Sequence, residues 1–290
     1  MPKHNDFEDY LSSFTAEKFI AQTASILEES FPVVQDLVIT YVNEARHGYS
    51  LIYPHLQKEK RMLEVGAGIG VLAAYLHLSG FQVQALEPSG TGFDLNHRIG
   101  QQIMRSLRLV NFNFLDMAVE DLDRSSTGEV DIIYSVNVVE HLPDLQLAFA
   151  RMQSVLSPRG LMIHTCPNYH VPYEPHFAVP LIPLAPAATR FLLPRKIIES
   201  GLWRSLNFVT ASKMRAVARK NRLEIEFENG TMYQSLMRLG RDKMFAIRHG
   251  GMVIWIYRFL SGTRLIHLIR YWPALLSTPM NFTCRHKGIR

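Results

Sequence analysis

Residues 63–70 read LEVGAGIG, which sets Glu64, Gly66, Gly68 and Gly70 at alternate positions after an apolar run and before a helical pattern. Glycines at such a junction let a ligand approach the backbone closely, and the start of the next helix offers amide donors without partners. The chemistry this suits is the binding of a nucleoside-bearing cofactor. A dinucleotide fingerprint would place its third glycine at position 71. That residue is Val71, so the spacing points away from NAD.

A second group lies further along. Asn137-Val138-Val139-Glu140-His141 puts an oxygen donor beside an imidazole. The stretch PNYHVPYEPHF, residues 167–177, packs three prolines, two tyrosines, two histidines and a glutamate into eleven positions. Proline fixes φ and removes amide donors, so this run reads as a rigid irregular loop. Its rings and carboxylate are candidate walls of an acceptor pocket; the alternative is a stiff surface loop that touches no ligand.

The elements that must hold these groups follow from periodicity. Short apolar runs at 61–68, 81–88, 109–116, 129–137 and 160–168 read as strands. Helical patterns lie between them at 70–79, 91–106 and 141–156. Strands alternating with helices predict a parallel sheet covered on both faces. Residues 7–57 are helical in pattern, interrupted at Pro32. TASKMRAVARKNR reads as a helix, LEIEFENG as a strand, and PMNFTCRHK as a last strand after a long basic, apolar helical region.

Taken together, the glycine loop, the acids at the strand ends and the segment VDIIYSVNVVEHLPD resemble the class I S-adenosylmethionine-dependent methyltransferases, in their ubiquinone-biosynthesis-type branch, from about Arg61 to Glu228. The resemblance implies an α/β, Rossmann-like doubly wound fold with a mostly parallel seven-stranded sheet. An N-terminal helical cap (1–60) would precede the cofactor-binding core (61–228). A basic apolar helical insertion (229–276) would separate it from the last, antiparallel strand and tail (277–290). The implied cofactor is S-adenosyl-L-methionine, held by Glu64, Gly66, Gly68, Gly70 and Asn137. Glu87 would hold the ribose hydroxyls, since a carboxylate can accept from both at once. Asp116 would accept from the adenine amino group, with Met117 packed on the ring.

For catalysis the candidates are Glu140, His141, His170 and His176. In relatives an E-x-x-E-H segment binds a divalent metal. Here the first acid is Asn137, which ligates only through its carbonyl oxygen and weakens a hard-cation site. Glu140 and His141, with His176 or His170, form the candidate metal set; otherwise Glu140 and His141 simply begin a helix. The implied reaction is methyl transfer to a small-molecule or lipid-linked acceptor, at a hydroxyl oxygen in preference to nitrogen or carbon. Alternatives are a metal-assisted O-methyltransferase acting on a nucleic-acid or quinone-like hydroxyl, and a non-catalytic cofactor-binding or membrane-scaffold protein.

Composition bounds the setting. Of 290 residues, 47% are hydrophobic and 20% charged, enough apolar material for a sizeable core. Two cysteines, Cys166 and Cys284, make no disulfide framework and suit a reducing compartment. The first residues show no secretory pattern, and no stretch reaches the ~20 apolar residues of a membrane span. The expected location is cytoplasmic, with peripheral attachment to the inner face of a membrane as an extension of that reading. The formal charge of +5 is uneven: from Asn229 onward ten Lys/Arg oppose one acid, Asp242. Residues 236–272 hold seven of those bases among Leu, Ile, Phe, Trp and Tyr. Such a region suits an anionic bilayer surface, or else caps a substrate pocket with Trp255 in its core. Nucleic acid is disfavoured, because the charge is embedded in aliphatic residues.

Overall fold

The computed structural model describes residues 4–90, 93–109 and 111–288, apart from the side chains of His4, Asn5, Lys243, Met244 and Arg248. Of the seven basic residues at 236–272, Lys243 and Arg248 thus lie outside the described side chains. Seven strands hydrogen-bond in the order β3-β2-β1-β4-β5-β9-β8. They are β1 (Arg61–Val65), β2 (Gln82–Leu86), β3 (Phe114–Leu115), β4 (Val130–Val136), β5 (Leu156–Cys166), β8 (Leu223–Phe227) and β9 (Met280–His286). β1 pairs in parallel with β2 and β4, and β2 with β3, whereas β8 and β9 are antiparallel. This is the expected Rossmann-like sheet, mostly parallel with an antiparallel last strand.

The chain packs as two compact units, 1–136 with 146–163 and 288–290, and 137–145 with 164–287. In the first unit, helices α1 (His4–Thr15), α2 (Glu17–Leu27) and α3 (Phe31–Ile52) precede β1. Phe7, Leu11, Ile20, Val34, Val38 and Ile52 are completely buried. Phe7 packs against the rings of Tyr49 and Tyr75, at centroid distances of 4.4 and 4.5 Å. The Tyr10 hydroxyl donates to the Val71 carbonyl at 2.9 Å, tying α1 to the first turn of α4 (Val71–Leu78). α5 (Asp94–Ser106), α6 (Arg124–Thr127) and α7 (Leu145–Val155) complete this unit's helices.

Three boundaries differ from the expected ones. β5 begins at Leu156 and not at residue 160. β3 spans two residues and not 109–116. The chain leaving α5 turns back on itself, with Arg108 at φ 56° and the Leu109 amide donating to the Met104 carbonyl, so those residues serve the end of the helix. The helix expected at 141–156 begins only at Leu145. Pro143 pushes Leu142 into extended backbone (ψ 121°), leaving Val139–His141 as a separate 3-10 turn.

The second unit carries that turn, the two-stranded β6 (Tyr173–Glu174) and β7 (Val179–Pro180), and a 3-10 segment at Pro186–Leu192. α8 (Arg195–Ile198), α9 (Gly201–Ser205), α10 (Ala211–Lys220), α11 (Thr231–Leu239) and α12 (Lys243–Gly262) follow, with β8 between α10 and α11. α12 is broken at Gly250, whose φ of 66° is outside the helical range.

Candidate active site

In the first unit the site is built from backbone. Gly66, Gly68 and Gly70 all have positive φ, between 57° and 71°. A Cβ on Gly68 would fall inside the Tyr41 ring, and one on Gly70 would lie 2.7 Å from Met104. Glycine is therefore required twice over, by conformation and by space. The Gly68 amide donates to Glu87 Oε2 at 2.8 Å. Glu87 is buried, and burial pushes its carboxyl up to about 7 despite bonds from Gly68 and Asn96. Asn96 also donates to the Tyr41 hydroxyl, so α3, α5 and the glycine loop close around one carboxylate. A small pocket beside it is lined by Tyr41, Glu44, Glu64, Gly66 and Ala67. Glu64 is buried there, accepts from the Tyr134 hydroxyl at 3.3 Å, and is pushed by burial up to about 8.

Asp116 is exposed and accepts from the Ser89 amide and hydroxyl, which hold it below the usual carboxylate range. Met117 next to it is half-buried. These residues fit a nucleoside cofactor: a backbone cradle closed to any side chain, beside a buried carboxylate suited to a pair of hydroxyls.

In the second unit the site is built from side chains. Glu140 is completely buried, and Glu140, His141 and His176 bring one ligand atom each to within 4.8 Å of one another. Glu140 Oε1 is 4.0 Å from His141 Nε2 and 3.8 Å from His176 Nε2. Both ring tautomers follow from the partners of Nδ1. His176 Nδ1 lies 2.6 Å from Glu174 Oε1, which as a carboxylate can only accept. His141 Nδ1 lies 2.7 Å from Ser205 Oγ, which is also 2.9 Å from the Leu202 carbonyl. His176 therefore carries its proton on Nδ1, and His141 does the same when the Ser205 hydroxyl donates to the Leu202 carbonyl. In that arrangement both Nε2 atoms turn lone pairs toward the Glu140 carboxylate. Burial, with His176 as a lesser cause, pushes His141 down to about 3, so it stays a neutral ligand at physiological pH. Three donors of this kind suit a divalent cation with an open position.

Of the two later histidines considered from the sequence, only His176 joins the cluster. His170 instead places Nδ1 3.1 Å from the Leu275 carbonyl and Nε2 3.4 Å from Ser212 Oγ. Asn137, expected among the cofactor ligands, has φ 53° and donates its amide to the Thr165 carbonyl. Several supporting residues escaped sequence reasoning. Glu174 is buried and also accepts from the Phe177 amide and the Tyr169 hydroxyl. Asn207 clamps the 3-10 turn: its side chain donates to the Val139 and Leu142 carbonyls, its amide to that of Glu140. Tyr41 and Asn96 are missed likewise. The one available signal was Glu174, an acid two residues before a candidate ligand within a loop of rings.

Comparison with known proteins agrees with this architecture. Residues 40–226 match the family model described as a methyltransferase domain. An uncharacterized protein of Mycobacterium tuberculosis (strain H37Rv) is 33% identical over 229 residues, 76% of each chain. A ubiquinone biosynthesis O-methyltransferase of Bradyrhizobium is 26% identical over 206 residues, 69% of this chain and 74% of that one. Among solved structures, phosphoethanolamine N-methyltransferase 2 of Haemonchus contortus, in complex with phosphomonomethylethanolamine and S-adenosylhomocysteine, superposes with a TM-score of 0.50 at 16% identity. That alignment covers 97% of this chain and 60% of the nematode enzyme's length, and it speaks for the fold. With the glycine cradle and the matched family model, the chain belongs to the methyltransferase-domain family and is a class I S-adenosylmethionine-dependent methyltransferase.

Proposed function

We propose that this protein transfers a methyl group from S-adenosylmethionine to a hydroxyl oxygen of a small-molecule or lipid-linked acceptor, and that Glu140, His141 and His176 handle that hydroxyl with the help of a divalent cation. The observation that carries the reading is the convergence of two imidazole lone pairs on one buried carboxylate. An amine acceptor gains less from such a set, since a neutral amine needs no activation before it attacks.

The cofactor supplies an electrophilic methyl on a sulfonium. Glu87, the glycine loop and the residues around them hold its nucleoside portion, and positioning of this kind is worth effective molarities of ~10⁵–10⁸ M. A divalent cation supplies Lewis acidity, which lowers the pKa of a hydroxyl it contacts. Glu140, His141 and His176 would hold it. The mix of one oxygen and two nitrogens favours a borderline ion such as zinc over magnesium, calcium or manganese, which prefer oxygen shells. Glu174 and Ser205 keep both rings in the ligating tautomer. Both polar groups follow the carboxyl ends of parallel strands, β1 and β4, where α/β sheets take their ligands.

The test pairs elemental analysis and calorimetric titration with zinc against a mass-spectrometric assay of methylated product. Expected are cation binding that His176→Ala weakens by an order of magnitude or more, and turnover lost to chelation and restored by the cation. Chelator-insensitive turnover by a metal-free enzyme removes the cation from the reading, and a product methylated at nitrogen or carbon removes the hydroxyl.

A further inference from the structure

α12 is apolar on two faces. Val253, Tyr257 and Leu260 turn inward onto a small core of Leu236, Leu239 and Ile266. Met252, Trp255, Ile256 and Phe259 recur at the spacing of a single helical stripe. They are 49, 66, 38 and 52% exposed, and the Trp255 and Phe259 rings stack at 5.8 Å. Beyond the end of the helix, Leu268 and Tyr271 are 63 and 82% exposed. A helix packed on one side ordinarily turns polar groups to water on the other; a contiguous apolar stripe there marks an interaction surface.

The charge around the stripe defines what it meets. Arg258, Arg264 and Arg270 are exposed, and among the described residues none of the three forms an ion pair. No acid follows Asp242 in the chain. A second copy docked face to face would bring arginines against arginines with no carboxylate to match them. An anionic surface meets no such penalty. Crossing a membrane is a poor fit, because among the described residues no single helix is long and apolar enough. His249–Gly262 and Leu265–Tyr271 meet at a bend of 103°, and the longer piece extends only about 21 Å against a hydrocarbon layer of about 30 Å.

We propose that this face lies flat on an anionic lipid bilayer. The Met252, Trp255, Ile256 and Phe259 stripe enters the boundary between headgroups and acyl chains, and Arg258, Arg264 and Arg270 meet the lipid phosphates. The inference holds whatever the methyl acceptor is, since it rests on residues outside the candidate active site.

Flotation with phosphatidylcholine vesicles, with and without phosphatidylserine, tests it on the full chain. Wild-type protein should float with the anionic vesicles, release as salt rises, and show a blue shift of tryptophan emission, because Trp203 is already buried while Trp255 and Trp272 are not. Combining Arg258→Glu, Arg264→Glu and Arg270→Glu should weaken binding by about a hundredfold or more. Trp255→Ser with Phe259→Ser should weaken binding and reduce the blue shift, leaving at most the part that Trp272 contributes. All five side chains are exposed, so the thermal midpoint of both variants should match wild type. The lipid and salt dependence of the wild type decides the matter even if a variant misfolds. Protein that stays in solution at low salt overturns the proposal, as does binding indifferent to lipid charge. A vesicle-free dimer that Trp255→Ser dissociates also overturns it, by assigning the face to a second copy.

Discussion

The two units hold their buried carboxylates in opposite ways. Glu87 is satisfied from the backbone, by the Gly68 amide, within a loop whose glycines leave no room for side chains. Glu140 is surrounded by other side chains, two histidines whose tautomers are set by Glu174 and Ser205. A loop fixed by glycine conformation and a backbone amide has fewer contacts that substitution can vary, which suits one invariant ligand. A side-chain-built site can be retuned residue by residue, which suits the variable partner of a reaction. In the proposed reading the cofactor belongs to the first and the acceptor chemistry to the second.

The most forceful way to break this contrast is Glu140→Gln, which keeps shape and removes charge. Methyl transfer should fall by roughly 10²–10⁴-fold while calorimetric S-adenosylmethionine affinity holds; a parallel loss of affinity would merge the two roles. Glu87→Ala should do the reverse, weakening the cofactor by ~1.5–3 kcal/mol, the worth of a charge-assisted hydrogen bond. Unchanged affinity would remove Glu87 from the ribose.

The smallest effect concerns stability. Glu64 and Glu87 have folded-state values raised by burial to about 8 and about 7, above the ordinary 4.5. Between those limits the folded protein holds protons that the unfolded chain releases. Their contribution is therefore complete below the unfolded value and lost as pH rises through 7 and 8. Below about pH 6.5, His141 and His164, both pushed down by burial to about 3, oppose this trend. The thermal midpoint of the cofactor-free protein should therefore decline from about pH 6.5 to pH 8, and Glu64→Gln should flatten the decline. A midpoint that rises over that range would mean both carboxylates are held ionised.

How much of this was legible in the sequence depends on the same contrast. The glycine loop, Glu87 and the sheet were readable because backbone requirements leave local marks: glycine where φ is positive, apolar runs where strands are buried. Glu140 and His141 were readable because they are adjacent. His176 could only be offered beside His170, since nothing local says which imidazole turns inward. Glu174 was marked only as the carboxylate of a ring-rich loop, and Ser205, Asn207, Tyr41 and Asn96 had no such mark. Asn207 contacts a turn 65 to 68 positions earlier, and Tyr41 meets Asn96 across 55. The basic, apolar character of 236–272 was visible, whereas the division of α12 into a packed face and an exposed one needed the neighbours that cover only one side.

The clamp made by Asn207 also sets an order of events in time. Three carbonyls of the Val139–Leu142 turn are bound by one residue that leaves the ribosome far later than Glu140. Ser205, which orients His141, arrives with it. During synthesis the cofactor cradle, closed by residues 41 to 96, can mature while the acceptor cluster is still unassembled. Domains fold as units from the N-terminus as they emerge, so a nascent chain that has stalled before residue 200 would hold the methyl donor's binding loop without the turn that directs its use.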